Sequence, residues 1–161
     1  MSVLRSLIMT KTAFEVIEKL QGKTLVTAES LTGGGIGAAL TAVPGASRVY
    51  KGGVISYTDQ VKREALGVPA AYLKTFGAVS APVAEAMAVG AREFLSADVA
   101  VSVTGLAGPD GDAFGNPVGT VFIGYADEHG VSVEEHHFSG EREAVRNQTV
   151  QAALVLILQN V

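Results

Sequence analysis

Thr24-Leu-Val-Thr-Ala-Glu-Ser-Leu-Thr-Gly-Gly-Gly-Ile-Gly37 is the stretch that decides the fold class. Leu25-Val26 with flanking threonines is a short β-branched run and reads as a buried strand. Ile36, Ala39, Leu40 and Val43 then recur at helical spacing as an apolar face. Between strand and helix sit Glu29, Ser30, Thr32 and three consecutive glycines, Gly33, Gly34 and Gly35. A strand that turns through glycines into a helix aims backbone N–H groups, and the positive end of the helix dipole, at one spot. Such a spot suits a phosphate or the oxyanion of an acyl-transfer intermediate, with Ser30 at its edge as nucleophile. A plainer reading stands beside it, in which Ser30 or Thr32 is an N-cap and the glycines only permit close packing.

Composition bounds the rest. The 161 residues suit one domain with a sizeable core, and 48% hydrophobic against 17% charged residues argues against disorder. A net charge of −4 argues against a general nucleic-acid-binding surface, while leaving room for a small anionic ligand in a local pocket. The absence of cysteine excludes disulfides, a thiol nucleophile and thiolate metal sites, and fits a cytoplasmic location. Lys11, Glu15, Glu18 and Lys19 interrupt the apolar N-terminal segment, which reads as neither signal peptide nor membrane span. The apolar run 152–158 is too short to cross a bilayer.

Outward from the glycine turn, Val3 to Leu20 reads as an amphipathic helix with Leu7, Phe14, Ile17 and Leu20 as core contacts, ended by Gly22. Pro44-Gly45 stops the second helix. Val54-Ile55-Ser56-Tyr57 reads as a strand, with Gly52-Gly53 marking a bulge or a close backbone approach. Thr58 or Asp59 caps a short helix through Leu66, and Ala70 to Phe76 forms another helical piece. Ser80 is the expected N-cap of a helix carrying Val83, Met87, Ala91 and Phe94. Ala97 to Val103 reads as a strand buried on both faces. Val118 to Tyr125 and Val131 to Phe138 form a hairpin around residues 127–130, and a last helix covers about 141–159. Helices alternating with strands, then a late hairpin, predict an α/β fold: a three-layer α/β/α domain with a mixed sheet. The apolar first and last helices suit either the core or a subunit interface, and a homo-oligomer is expected.

Three further places carry potential chemistry. Lys62 falls early in its helix, where the dipole disfavours positive charge; burial would favour the neutral amine, and Ser–Lys pairs are a variant of nucleophile activation. Against this, lysines are mostly solvated, and Lys62 has Arg63 and Glu64 beside it. Tyr57, at a strand end, is either a hydrogen-bond donor or half-buried filler. In the loop 104–117, Thr104 and Gly105 offer a hydroxyl and a backbone N–H, whereas Asp110-Gly-Asp112 lacks the spacing of a calcium loop and reads as a tight turn. Arg142 and Arg146 share a helix face at i and i+4, suited to a phosphate or simply to solvent and local ion pairs. His129, His136 and His137 do not make a metal site and suit exposed hairpin positions.

Six motifs occur in order: Thr27-Ala-Glu-Ser-Leu-Thr-Gly-Gly34, Gly53-Val-Ile-Ser-Tyr-Thr-Asp59 with Lys62, Gly77-Ala-Val-Ser80, Thr104-Gly-Leu-Ala-Gly-Pro-Asp-Gly111, Pro117-Val-Gly-Thr-Val121 and Ser139-Gly-Glu-Arg-Glu-Ala-Val-Arg146. Together they resemble the CinA C-terminal domain family over nearly the whole chain, as one such domain spanning residues 1–161. The resemblance implies hydrolysis of the carboxamide of nicotinamide mononucleotide to nicotinic acid mononucleotide and ammonia, with neither metal nor cofactor. It implies Ser30 as nucleophile and Lys62 as its base, with Tyr57 orienting Lys62 or the substrate. Amides of Gly33-Gly34 or Thr104-Gly105 would hold the oxyanion, Arg142 or, by preference, Arg146 the phosphate, and Glu29 would accept from a site group beside Thr32. Leu31 stands where many members carry Cys, and Thr58-Asp59 where Ser-Asn is usual; the Asp59 charge would raise the Lys62 pKa. The alternative function is a phosphate- or nucleotide-binding regulatory module without catalysis.

Overall fold

The computed structural model describes residues 1–161. Its elements are α1 (Val3–Lys19), β1 (Leu25–Glu29), α2 (Gly35–Thr41), β2 (Tyr50–Ile55), α3 (Asp59–Leu66), α4 (Ala70–Phe76), α5 (Ala81–Phe94), β3 (Val99–Gly105), β4 (Thr120–Asp127), β5 (Gly130–His137) and α6 (Arg142–Asn160). A short 3-10 turn, Ala46–Arg48, leads into β2. The five strands form one sheet in the order β2-β1-β3-β4-β5. β1 runs parallel to both β2 and β3, and β4 and β5 are antiparallel additions.

Alternation along the strands divides the core between the two faces. Leu25 of β1, Val99, Val101 and Val103 of β3, and Val121 and Ile123 of β4 pack with α1, α2 and α6. Val26 and Ala28 of β1 and Ala100 of β3 point the other way, against Leu66, Leu73, Val83, Met87 and Ala91 of α3, α4 and α5. The result is the expected three-layer α/β/α arrangement with a mixed sheet.

The crossovers place the site. α2 links β1 to β2 across one face, and α3 to α5 link β2 to β3 across the other. The connections after the neighbouring strands β1 and β2 therefore depart toward opposite faces, and the carboxyl ends at such a switch point are where open α/β sheets bind ligands. Ser30 directly follows β1 there, its amide bonded to the Val103 carbonyl of β3 at 3.1 Å.

The turn into α2 is held by Glu29, not by a hydroxyl cap. Its carboxylate, 2% exposed, accepts from Thr32 Oγ1 (2.7 Å) and Ile36 N (2.8 Å) on one oxygen. The other accepts from Gly37 N (3.0 Å) and Thr27 Oγ1 (3.3 Å). The N-cap position is Gly34, in the left-handed region at φ 101°, so neither Ser30 nor Thr32 caps the helix. Gly52-Gly53 fulfils both of its readings. The β1–β2 register slips by one residue between Leu25 and Val26, and a Cβ on Gly53 would run into Thr27.

Several expectations are corrected. Leu7 and Phe14 of α1 are 63% and 51% exposed, because α1 buries the stripe Ala13, Val16 and Ile17, with Leu20 following it. Phe94 is likewise exposed at the end of α5. Ser80 occupies the N-cap position of α5, but its hydroxyl donates to the Gly77 carbonyl at 2.8 Å. β2 ends at Ile55, so Ser56 and Tyr57 belong to the loop into α3. No helix is long and apolar enough to cross a membrane.

The Glu29→Gln variant should lose about 2 kcal/mol of stability in denaturant titration, because one carboxylate oxygen becomes an N–H donor facing buried donors.

Candidate active site

Ser30, Lys62, Ser56 and Tyr57 meet at the carboxyl end of β1. Lys62 is on α3, whose N-cap Thr58 accepts the Val61 amide at 3.3 Å and whose end is set by Gly67 at φ 67°. α3 packs its Lys62–Leu66 face inward, so the lysine is 1% exposed and the solvated reading fails. Its Nζ donates to Ser30 Oγ at 3.0 Å, to the Ser56 carbonyl at 2.7 Å and to the Tyr57 carbonyl at 3.5 Å. Burial pulls the amine down from the ordinary lysine range to about 8, against the opposing pull of the Asp59 carboxylate. Desolvation therefore outweighs the Asp59 charge. Near neutral pH a minor but substantial fraction of Lys62 is a free base in contact with a serine hydroxyl. Ser30 itself is 7% exposed.

Tyr57 approaches this pair only through its backbone. Its side chain is 60% exposed, and its hydroxyl accepts from Arg142 Nη2 at 3.1 Å. Arg142 also donates Nη1 to the Gly108 carbonyl at 2.6 Å, tying the start of α6 to the loop after β3. Tyr57 and Arg142 thus form an exposed polar rim beside the carboxyl end of β1. Arg146, one helical turn further on, is directed inward. Its Nε donates to the Leu31 carbonyl at 2.9 Å and its Nη2 to the Thr32 carbonyl at 3.2 Å. The preference for Arg146 as phosphate holder meets a guanidinium already committed to the turn.

The remaining predicted positions are internal to different degrees. Both Glu29 oxygens and the Thr32 hydroxyl bond within the protein. Gly33 N–H closes the turn onto the Ser30 carbonyl at 3.1 Å, so of the Gly33-Gly34 pair only the Gly34 amide lacks an acceptor. Thr104, 1% exposed, donates its hydroxyl to the Ala78 carbonyl at 2.8 Å. Gly105 lies so close to β4 that a Cβ would be 2.6 Å from Val121 Cγ2. Asp112 accepts from the Phe114 and Asn116 amides at 3.0 Å each, as a tight turn requires. His136 and His137 lie on β5, each 2.9 Å from a glutamate two residues back.

Ser56 had no functional reading from the sequence. Its carbonyl is the shortest contact of the Lys62 amine, and its hydroxyl, in a residue with no exposed surface, has no partner. Any residue could supply that carbonyl, so residue type carried no signal for it. The contact follows from where β2 ends.

The comparisons with known proteins agree with this architecture. A model of the CinA C-terminal domain matches residues 9–161. The CinA-like protein of Geobacter sulfurreducens is 47% identical over 143 residues, covering 89% of this chain but 35% of that protein. This chain thus spans about a third of the length of the first curated relatives. A Pseudomonas putida relative named nicotinamide-nucleotide amidohydrolase PncC is 48% identical over 135 residues, 84% of each chain. Among solved structures, a CinA superfamily protein from Escherichia coli superposes with a TM-score of 0.94 at 33% identity, covering 100% of this chain and 94% of that one. A competence/damage inducible protein from Agrobacterium tumefaciens gives 0.91 at 38% identity, covering 94% of each. A matching family model over most of its length, joined to the same layered fold, makes this chain a member of the CinA C-terminal domain family.

Proposed function

We propose that the chain hydrolyses the carboxamide of nicotinamide mononucleotide, releasing ammonia and nicotinic acid mononucleotide, through Ser30 and Lys62. The carrying observation is the 3.0 Å contact between a fully buried lysine amine and a serine hydroxyl at the switch point of the sheet. The name of the Pseudomonas putida relative supports the choice of substrate.

The neutral Lys62 amine takes the Ser30 proton as Oγ bonds to the carboxamide carbon. The π electrons of the C=O move onto oxygen, giving a tetrahedral oxyanion. As the C=O re-forms, the C–N bond breaks and the Lys62 ammonium returns a proton to the departing nitrogen, which leaves as ammonia. Water, deprotonated by the same amine, then splits the acyl-serine and regenerates both groups. The Ser56 and Tyr57 carbonyls keep the amine aimed at Ser30 through these transfers. In this reading Arg142, exposed beside the Tyr57 hydroxyl, holds the substrate phosphate, its guanidinium fork being suited to the phosphate oxygens.

Ammonia release from nicotinamide mononucleotide in the presence of EDTA tests the reading. Ser30→Ala and Lys62→Met should each lower kcat by a factor on the order of 10³ while circular dichroism shows an intact fold. A near-normal rate in either variant excludes the dyad. Saturable nucleotide binding without ammonia from the unaltered chain would favour the regulatory-module reading.

The pH profile has a defined sign. The base acts as the neutral amine, so kcat/KM should rise with pH and level off above about 8. Asp59 opposes the desolvation of Lys62, so Asp59→Asn should move that limb to lower pH and raise kcat/KM at pH 7. An unchanged limb would assign it to another group.

A further inference from the structure

In the turn between β1 and α2 the Ser30, Leu31 and Thr32 carbonyls are bonded, while the amides of Leu31, Thr32 and Gly34 have no protein acceptor. Gly33 N–H bonds the Ser30 carbonyl, and Arg146 bonds the carbonyls of Leu31 and Thr32. The N–H groups of Leu31 and Thr32 meet no acceptor in the protein, although these residues are only 4% and 2% exposed. Buried backbone donors without a partner are rare in folded chains, and they point to a ligand. Glu29 cannot serve them, because both of its oxygens are occupied. The Gly34 amide also lacks a protein acceptor, but it belongs to a half-exposed residue that water reaches.

Peptide planarity fixes the direction of the two donors. The single cis bond of the chain is Gly108–Pro109, so the peptides joining 30 to 31 and 31 to 32 are trans. In a trans peptide the N–H points opposite to the carbonyl of the same plane. The Ser30 carbonyl faces into the turn, which sends the Leu31 N–H out of it. The Leu31 carbonyl faces Arg146, which sends the Thr32 N–H away from α6. Both donors sit within two residues of the Ser30 hydroxyl, whose other side is taken by Lys62.

We propose that the Leu31 and Thr32 amides form the oxyanion hole for Ser30, and that Arg146 is a positioning residue that aims the Thr32 amide by holding the carbonyl of the same peptide. The inference rests on the amidase reading above. The two N–H groups donate to the oxygen that receives the π pair when Oγ bonds to the carboxamide carbon. They release it as the C=O re-forms and ammonia departs. Donors aimed in advance at this developing charge act on the transition state more than on the bound substrate, so their misalignment lowers kcat more than it raises KM. The two arginines of α6 thereby divide their work: Arg142, exposed beside Tyr57, meets the substrate phosphate, and Arg146 holds the turn.

Steady-state kinetics of Arg146→Lys on nicotinamide mononucleotide and on nicotinamide riboside, which lacks the phosphate, separate positioning from phosphate binding. The expected result is a kcat loss of roughly tenfold or more, equal for both substrates, with KM little changed. A KM increase confined to the mononucleotide, with kcat retained, makes Arg146 the phosphate anchor and overturns the inference. A second measurement needs neither the variant nor the riboside. The aldehyde analogue of nicotinamide mononucleotide, which adds reversibly to a serine hydroxyl, is titrated into the ¹⁵N-labelled chain. Leu31 and Thr32 amide protons should move downfield together; a shift at Gly34 or Gly105 instead, or none at Leu31 and Thr32, overturns it. Failure of the unaltered chain to release ammonia defeats the amidase reading and this inference with it. Ammonia release accompanied by either contrary result defeats the inference alone.

Discussion

The Glu29 carboxylate is the constraint on which the site depends. It ends β1 and reaches forward to the amides of Ile36 and Gly37, while Thr27 and Thr32 hydroxyls fill its remaining acceptor positions. A buried carboxylate needs this many donors to offset its lost hydration, and the backbone supplies two of them only if α2 begins where it does. Strand end, turn and helix start are therefore one rigid unit, and Ser30 is carried at its apex. The same bonds use up the first-turn amides of α2. The donors left for a ligand are those of the turn, next to the serine.

Lys62 is the counterpart on the other face of the sheet. An ammonium with almost no exposed surface is costly unless it is bonded, and here the Ser30 hydroxyl and two carbonyls receive it. Burial brings the amine to about 8, where protonated and neutral forms exchange near physiological pH. Those carbonyls are available because β2 ends at Ile55 and the chain bends toward α3 just beneath the end of β1. The sheet order matters equally, since β1 lies between β2 and β3 and both loops therefore face Ser30.

The sequence was most informative where local physics is strongest. The run Leu25-Val26, the glycines after Thr32, the Thr58 cap and the near-continuous apolar stretch 97–103 each led to the element found. It misled where an apolar residue could lie on either side of a helix. Leu7 and Phe14 have helical spacing with Ile17, yet the stripe that α1 buries runs instead through Ala13, Val16 and Ile17. It gave no sign of the contacts that Glu29 and Arg146 make with the β1–α2 turn. Nothing local says that a carboxylate will fold back onto its own helix, or that an arginine more than a hundred residues downstream will reach two carbonyls of the turn.

By itself the sequence determined the layered α/β class and the family, because strand and helix periodicity and motif order are properties of neighbours along the chain; it suggested the pairing of Ser30 with Lys62 only through the family resemblance. Tertiary structure alone decided the strand order, the burial that lowers the Lys62 amine, the outward place of Arg142 and the inward place of Arg146. Two arginines four residues apart on one helix are chemically identical in the sequence. They acquire different surroundings only when α6 is laid against the β1 turn, because a single helical turn separates the exposed rim from the buried backbone.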